Sequence, residues 1–205
     1  RPGATSSRAS LRTQHLSRAR VFFLVSVLML LLFSKNVYSS SLTSFFTFYL
    51  IERFNLPIQA AQIQLFIFMA SIAVGTLLGG ALTDRIGRKP MILISILGAL
   101  PFTLALPFAD LFWTGVLTMV IGLLMASAFP AILIYAHELI PGRVGLVSGM
   151  FFGLAFGLGG LGAAVMGVIA DAHGIVFIYK LCSYLPALGL VAFLLPNFNA
   201  PASKA

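Results

Sequence analysis

The stretch Gly80-Ala-Leu-Thr-Asp-Arg-Ile-Gly-Arg-Lys-Pro-Met-Ile92 places four charged residues within six positions, between two long apolar runs. Gly87 and Pro90 in its middle favour a turn. A helix needs about 20 mostly apolar residues to cross a hydrocarbon core of ~30 Å, and a run of that size lies on each side. The stretch therefore predicts a hydrophilic connection at a membrane surface, between two membrane-spanning helices.

Apolar runs of the same kind occupy most of the 205 residues, of which 60% are hydrophobic and 9% charged, with a mean hydropathy of +1.04. This composition excludes a soluble globule, in which about a quarter of the residues are charged. It also excludes a disordered chain, because so apolar a sequence must bury its surface. We predict an all-α membrane protein with six transmembrane helices, near Val21–Ile51, Ile63–Leu82, Met91–Phe108, Phe112–Tyr135, Gly145–Ala170 and Ile175–Leu195.

The connections are too short for a second domain, so we expect a single six-helix bundle over residues 21–197. Residues 1–20 would form a basic cytoplasmic linker or tail, and residues 198–205 a second cytoplasmic tail. An organellar targeting segment would have the same composition as residues 1–20. The linker is favoured because it completes the charge pattern of the other connections.

Lys and Arg side chains are distributed unevenly among these connections. Residues 1–20 carry five arginines and no acid, whereas the connections on the opposite side carry one basic residue, Arg53. Because cytoplasmic loops are enriched in Lys and Arg, we expect a multi-pass protein of the cell (inner) membrane with both termini cytoplasmic. This asymmetry accounts for the net charge of +8 without a nucleic-acid partner. The other basic residues on the predicted cytoplasmic side are Arg85, Arg88, Lys89, Arg143 and Lys204.

An internal repeat becomes visible when the sequence is shifted by 87 positions. Its two copies lie in connections predicted to face opposite sides of the membrane, which is the inverted, three-plus-three relation found in many secondary transporters. The basic pair Arg88-Lys89 of the first copy is replaced by Ile175-Val176 in the second, as expected of an outer connection. The identical positions are Asp84 and Asp171, with the glycine pairs Gly75 and Gly162, Gly80 and Gly167, Gly87 and Gly174.

The stretch from residue 80 to residue 92 resembles the loop signature of the major facilitator superfamily, in its Gly, Leu, Asp-Arg and Gly-Arg-Lys positions. The segment Glu138-Leu-Ile-Pro-Gly-Arg143 is similar to a Glu–Pro–Arg turn of the same superfamily. The resemblance implies a cytoplasmic gating motif made by Gly80, Asp84, Arg85, Gly87, Arg88, Glu138 and Arg143.

Three further segments resemble the second half of fosmidomycin-resistance-type exporters: residues 34–39, 43–50 and 135–139. This resemblance implies helices seven to twelve of a twelve-helix fold, one half of which is missing here. The partner would be an N-terminal six-helix half or a second copy. The expected function is efflux of drugs or anionic small molecules by alternating access. The alternative is a non-transporting membrane fragment or assembly subunit that needs a partner half.

The first span carries a polar stripe that points to a substrate pathway. Lys35 lies ~21 Å along the helix at 1.5 Å per residue, where an ammonium costs roughly 2.5–3.5 kcal/mol to insert. We expect it to face a cavity and an anionic substrate, and the alternative is a lysine that packs structurally or snorkels. The predicted pathway residues are Lys35, Asn36, Tyr38, Ser39, Ser40 and Thr43.

Two further expectations concern the fifth span and the chemistry of the chain. Glycines at intervals of four predict a close helix–helix contact, whereas Phe151 and Phe156 are expected to pack. No cluster of nucleophile, base or metal ligands is apparent, so we expect neither an enzyme nor a metal or cofactor site. The glycines are Gly145, Gly149, Gly153 and Gly157.

Overall fold

The structure, a computed structural model, describes residues 18–195. Its helices are α1 (Arg18–Phe54), α2 (Ile58–Ile86), α3 (Arg88–Ala105), α4 (Leu111–Leu139), α5 (Val144–His173) and α6 (Ile175–Cys182). A 3-10 turn, Leu106–Phe108, prolongs α3, and a 3-10 segment, Leu185–Leu194, prolongs α6. With these extensions, all six are long and apolar enough to cross a membrane, and residues 18–195 contain no strand. The predicted six-helix, all-α fold is confirmed.

Most helices are longer than the predicted spans. Asp84 and Arg85 lie in the last turn of α2, and Glu138 lies in the last turn of α4, although all three were expected in connections. Hydropathy cuts a span at its first charges, whereas backbone hydrogen bonding continues the helix into the polar interface. The predicted tails lie outside the described residues, except that residues 18–20 begin α1.

The interior consists of two apolar clusters, one towards each end of the bundle. In α1, residues 24–32 belong to the first cluster and residues 38–50 to the second. The first also contains the beginning of α3 and the end of α4, whereas the second contains the end of α3 and the beginning of α6. Lys35 lies between the two clusters, at the middle of the bundle.

The turns of the bundle repeat with the 87-residue period that the sequence predicts. Gly87, between α2 and α3, has φ 97° and ψ 163°, and Gly174, between α5 and α6, has φ 85° and ψ 157°. Each donates its N–H to the carbonyl four residues earlier, at 3.0 and 2.7 Å. Only glycine adopts this region readily. Asn55 and Gly142, also 87 residues apart, likewise have positive φ, at 52° and 84°.

The closest helix contacts follow the same period. Gly75 of α2 lies against the backbone of Leu123 in α4, where a β-carbon would find no room. Gly162 of α5 lies against the side chain of Val37 in α1. The α2–α4 contact is thus the counterpart of the α5–α1 contact, and α1–α3 correspond to α4–α6.

Candidate functional site

A cavity of about 180 Å³ lies at the middle of the bundle, beside Lys35. It is formed by the four helices α1, α2, α4 and α5, and no described residue of α3 or α6 lines it. Both repeats therefore contribute one pair of helices to it. The lining residues are Lys35, Asn36, Ser39, Ile72, Thr76, Ala126, Phe129, Phe152, Ala155 and Phe156.

The charged group of this cavity is the ammonium of Lys35, whose residue is 6% exposed. Its Nζ lies 5.1 Å from the centre of the Phe129 ring, a cation–π distance. Within residues 18–195 no carboxylate forms an ion pair with it. The five acids of the chain lie near helix ends, as Glu52, Asp84, Asp110, Glu138 and Asp171. A buried cation therefore faces the cavity with an aromatic ring, rather than an anion, as its partner.

Two neighbours of Lys35 on α1 share the cavity. Asn36 has a buried amide nitrogen, Nδ2, with no hydrogen-bond partner among the described residues. Ser39 lines the same space, while its carbonyl accepts a 2.8 Å bond from Thr43 Oγ1. Three of the six predicted pathway residues thus come together, whereas the Thr43 hydroxyl is held by its own helix.

The remaining two predicted pathway residues point elsewhere. Ser40 packs beside Gly159 at the contact between α1 and α5. Tyr38 is buried in the apolar cluster that also contains Tyr179 and Cys182 of α6. Successive helical residues are about 100° apart, so Asn36 and Tyr38 project to nearly opposite sides of α1. Tyr38 therefore lies on the side of α1 away from the described cavity, and its place in a substrate path stays a prediction.

Sequence reasoning missed the aromatic side of the cavity. The ring centre of Phe152 lies 5.1 Å from that of Phe129 and 6.3 Å from that of Phe156. Phe156 was expected to pack, yet it is 76% exposed at the rim. Thr76, a hydroxyl residue in the apolar α2, was a usable signal for the lining of the cavity. The three phenylalanines carried none, because no periodicity distinguishes them from the 16 others in the chain.

The two predicted motif turns meet at one end of the bundle. Arg88 Nη2, at the start of α3, lies 2.7 Å from Glu138 Oε1 at the end of α4. Beside this pair, His137 Nε2 in the last turn of α4 lies 2.9 Å from Ser148 Oγ of α5, and this contact joins the two helices. Asp84, Arg85 and Arg143 are exposed, and within residues 18–195 they form no ion pair.

The predicted glycine stripe of α5 makes no close contact inside this bundle. At Gly145, Gly149, Gly153 and Gly157, nothing among the described residues lies within 4 Å of the position that a β-carbon would occupy. The glycines of α5 that contact α1 are Gly159, Gly162 and Gly167 instead. The four-residue spacing places these glycines on one face of the helix, and in residues 18–195 that face is open.

The described residues hold no group of three His, Cys, Asp or Glu side chains arranged to bind a metal ion.

Comparison with known proteins adds to this geometry. The sequence matches the Major Facilitator Superfamily over residues 24–205. It is 56% identical to the fosmidomycin resistance protein of Escherichia coli (strain K12) over 182 residues, 89% of this chain and 45% of that protein. It is 43% identical to the MFS-type transporter YfnC of Bacillus subtilis (strain 168) over 75% of this chain and 38% of YfnC. The chain therefore spans less than half the length of these two relatives.

Among solved structures, the fold resembles the crystal structure of FucP, a major facilitator superfamily transporter in its outward conformation. The TM-score is 0.70 over 88% of this chain and 44% of that one, with 19% sequence identity. At this identity the likeness supports the fold alone. The six helices of this chain match part of a longer transporter.

Proposed function

The chain belongs to the major facilitator superfamily, and from this premise we propose that it forms the C-terminal six-helix half of an exporter of anionic small molecules. Export would proceed by alternating access, with two six-helix bundles rocking about a site near the bilayer midplane. The name of the Escherichia coli relative favours a drug among the substrates, and the buried Lys35 ammonium favours one of the phosphonate or phosphate-like kind.

The observation that carries this proposal is the buried ammonium of Lys35. A cation at the centre of a bundle is costly and marks a functional site by default. Its companion is an aromatic ring, whose attraction for an ammonium is about 2 kcal/mol or somewhat more when desolvated. An anionic group entering the cavity would supply the charge-assisted hydrogen bond that the ammonium lacks in residues 18–195.

A second six-helix half is supported by the open surface of α2 and α5. The cavity opens among α1, α2, α4 and α5, and α2 and α5 have the smallest buried fractions of the six helices. Asp84 and Arg143 are exposed on these two helices or at their ends. We propose that they and the open glycines of α5 meet the N-terminal half, or a second copy of this chain.

The proposed orientation places both termini on the cytoplasmic side of the inner membrane. Its support is the concentration of basic residues on the side that carries the Arg88–Glu138 pair. In this orientation the motif turns lie at the cytoplasmic end and the cavity at mid-membrane.

The test replaces Lys35 by methionine in the intact transporter and measures resistance of cells to a phosphonate drug. Removing one partner of a buried charge contact costs about 2–5 kcal/mol, which corresponds to at least a tenfold loss at about 1.4 kcal/mol per factor of ten. We therefore expect resistance to fall at least tenfold. The matched control is Lys180→Met, because Lys180 is exposed on α6, a helix that contributes nothing to the described cavity lining.

Unchanged resistance in Lys35→Met, at equal amounts of protein in the membrane, would contradict the proposal. Equal losses in both variants would contradict it too, and would favour a general packing role for lysine. Absence of drug flux in the wild-type transporter would favour the alternative, an assembly subunit. Export by these 205 residues reconstituted as a demonstrated monomer would remove the need for a partner half.

A further inference from the structure

The aromatic side of the cavity bears on which anions it accepts. We propose that the site selects anions with one small charged group and an apolar, preferably aromatic, body, which rests on a row of three phenylalanines leading from Lys35 to the rim. This inference rests on the proposed function and adds to it a specificity that the charge alone would not give.

The row is continuous across two helices. The Phe129 ring of α4 holds the ammonium on its face, at 5.1 Å, and meets Phe152 of α5 edge to face, with an interplanar angle of 63°. Phe152 and Phe156 are one helical turn apart, and their rings are inclined by only 14°. Since Phe156 is largely exposed, a ring face remains available to a ligand at the rim.

The polar side of the cavity is small by comparison. Asn36 Nδ2 is a buried donor without a partner in the described residues, and it lies next to Lys35 in sequence and in the cavity. The Thr76 hydroxyl, in contrast, already donates to the Ile72 carbonyl at 2.9 Å. The Ser39 hydroxyl also lines the cavity. Three donor groups thus remain for an anion: one ammonium, one amide and one hydroxyl.

This balance disfavours a compact, strongly hydrated anion. Inorganic phosphate has four oxygen atoms, and those without a partner would lose their hydration at a cost. A monosubstituted phosphonate presents three oxygens on one side and directs its organic substituent away from them. A phenyl substituent would gain both buried apolar area and ring–ring contacts with the row.

The experiment measures displacement of a labelled phosphonate drug from the intact, purified transporter by three competitors: inorganic phosphate, methylphosphonate and phenylphosphonate. Methylphosphonate and phenylphosphonate carry the same headgroup, so their ratio reports the organic body alone. Because burying most of a ring removes apolar area from water, we expect phenylphosphonate to compete at least tenfold more strongly than methylphosphonate, with phosphate weakest.

The ratio should depend on the exposed ring of the row. In Phe156→Ala we expect the preference for phenylphosphonate over methylphosphonate to fall several-fold, and in Phe156→Tyr, which keeps the ring, to persist. If Phe156→Ala does not fold, Phe156→Leu replaces it as the variant that lacks the aromatic ring. The matched control is Phe108→Ala, since Phe108 is 79% exposed on the turn after α3 and is not among the cavity residues.

Each outcome separates this inference from the proposed function. Equal competition by methylphosphonate and phenylphosphonate overturns the aromatic preference. It leaves the export of anions standing, provided that Lys35→Met still weakens binding at least tenfold. A preference that survives unchanged in Phe156→Ala and Phe156→Leu overturns the assignment to this row. Both proposals are supported together by two results: the wild-type transporter prefers phenylphosphonate to methylphosphonate, and Lys35→Met loses binding of both.

Discussion

The two repeats of this bundle are alike in their turns and contacts and unlike in their charges. Gly87 and Gly174 occupy equivalent turns with nearly the same backbone angles. Gly75 and Gly162 occupy equivalent helix contacts, one against the Leu123 backbone and the other against the Val37 side chain. Only glycine satisfies them, because a side chain would be strained at the turns or blocked at the contacts. These four shared glycines are therefore positions that the fold itself requires.

The two repeats differ at charged positions of the first repeat that are uncharged in the second. Lys35 of the first repeat corresponds to Gly122 of the second, which packs against Phe68 and Ser71 of α2. Likewise the basic pair that follows Gly87 has no counterpart after Gly174, where α6 begins with Ile175. An ammonium at one of two equivalent places is not a requirement of the fold. The comparison thus separates residues kept for architecture from those that we assign to transport and orientation.

The largest effect is expected at the helix contacts. Gly75→Leu would press a side chain on the Leu123 backbone, which cannot rotate away, and should cost about 3 kcal/mol or more. Gly162→Leu meets the Val37 side chain, which can shift, so its cost should be about 1–3 kcal/mol. Thermal unfolding in detergent, followed by the fluorescence of Trp113, measures both.

The matched control for these contacts is Gly80→Leu, because nothing described lies within 4 Å of a β-carbon at that position of α2. It should leave the unfolding temperature unchanged or raise it slightly, since leucine favours helix over glycine. If Gly80→Leu destabilised the bundle as much as Gly75→Leu does, the close contact would not explain the glycine at position 75.

An intermediate effect is expected at the turns. Gly87→Ala and Gly174→Ala would each force alanine into a backbone region with positive φ, at a cost of about 1–2 kcal/mol. Because the two conformations are nearly the same, the two losses should agree within about 0.5 kcal/mol. If thermal unfolding showed unequal losses of stability in the two variants, the two turns would not be equivalent.

The smallest effect is expected at the ion pair Arg88–Glu138 beside the first turn, which has no counterpart beside Gly174 among the described residues. Arg88 and Glu138 are 35% and 22% exposed, so solvent screens their attraction, and Glu138→Gln should cost only about 0.5 kcal/mol of unfolding free energy. The loss should diminish in high salt. A loss that is large and independent of salt would show that this pair holds the two motif turns more strongly than its exposure suggests.

Much of the fold could be predicted because membrane burial imposes simple rules on a sequence. Apolar length gave the six helices, and scarce residues such as Asp84 and Asp171 made the repeat recognisable. The helix ends could not be placed, since Asp84 and Glu138 are charged yet continue their helices into the interface. Hydropathy records the thickness of the hydrocarbon core, not the length of a helix.

The cavity was predictable on one of its four helices. On α1 the spacing of Lys35, Asn36 and Ser39 placed polar groups on one face of an apolar helix, and this face does line the cavity. Phe129 and Phe156 could not be found in the same way, because an apolar side chain in an apolar helix carries no signal of the direction in which it points. Their role depends on how four helices pack, which no local pattern encodes.

The central claim is that the Lys35 ammonium binds the anionic group of the substrate. Equilibrium binding of a labelled phosphonate drug to the purified, intact transporter tests it most directly, by comparing wild type, Lys35→Met and Lys180→Met. We predict a dissociation constant at least tenfold higher in Lys35→Met, from about 1.4 kcal/mol or more of lost binding free energy, and no change in Lys180→Met. Equal affinity of the wild type and a correctly folded Lys35→Met variant would contradict the account.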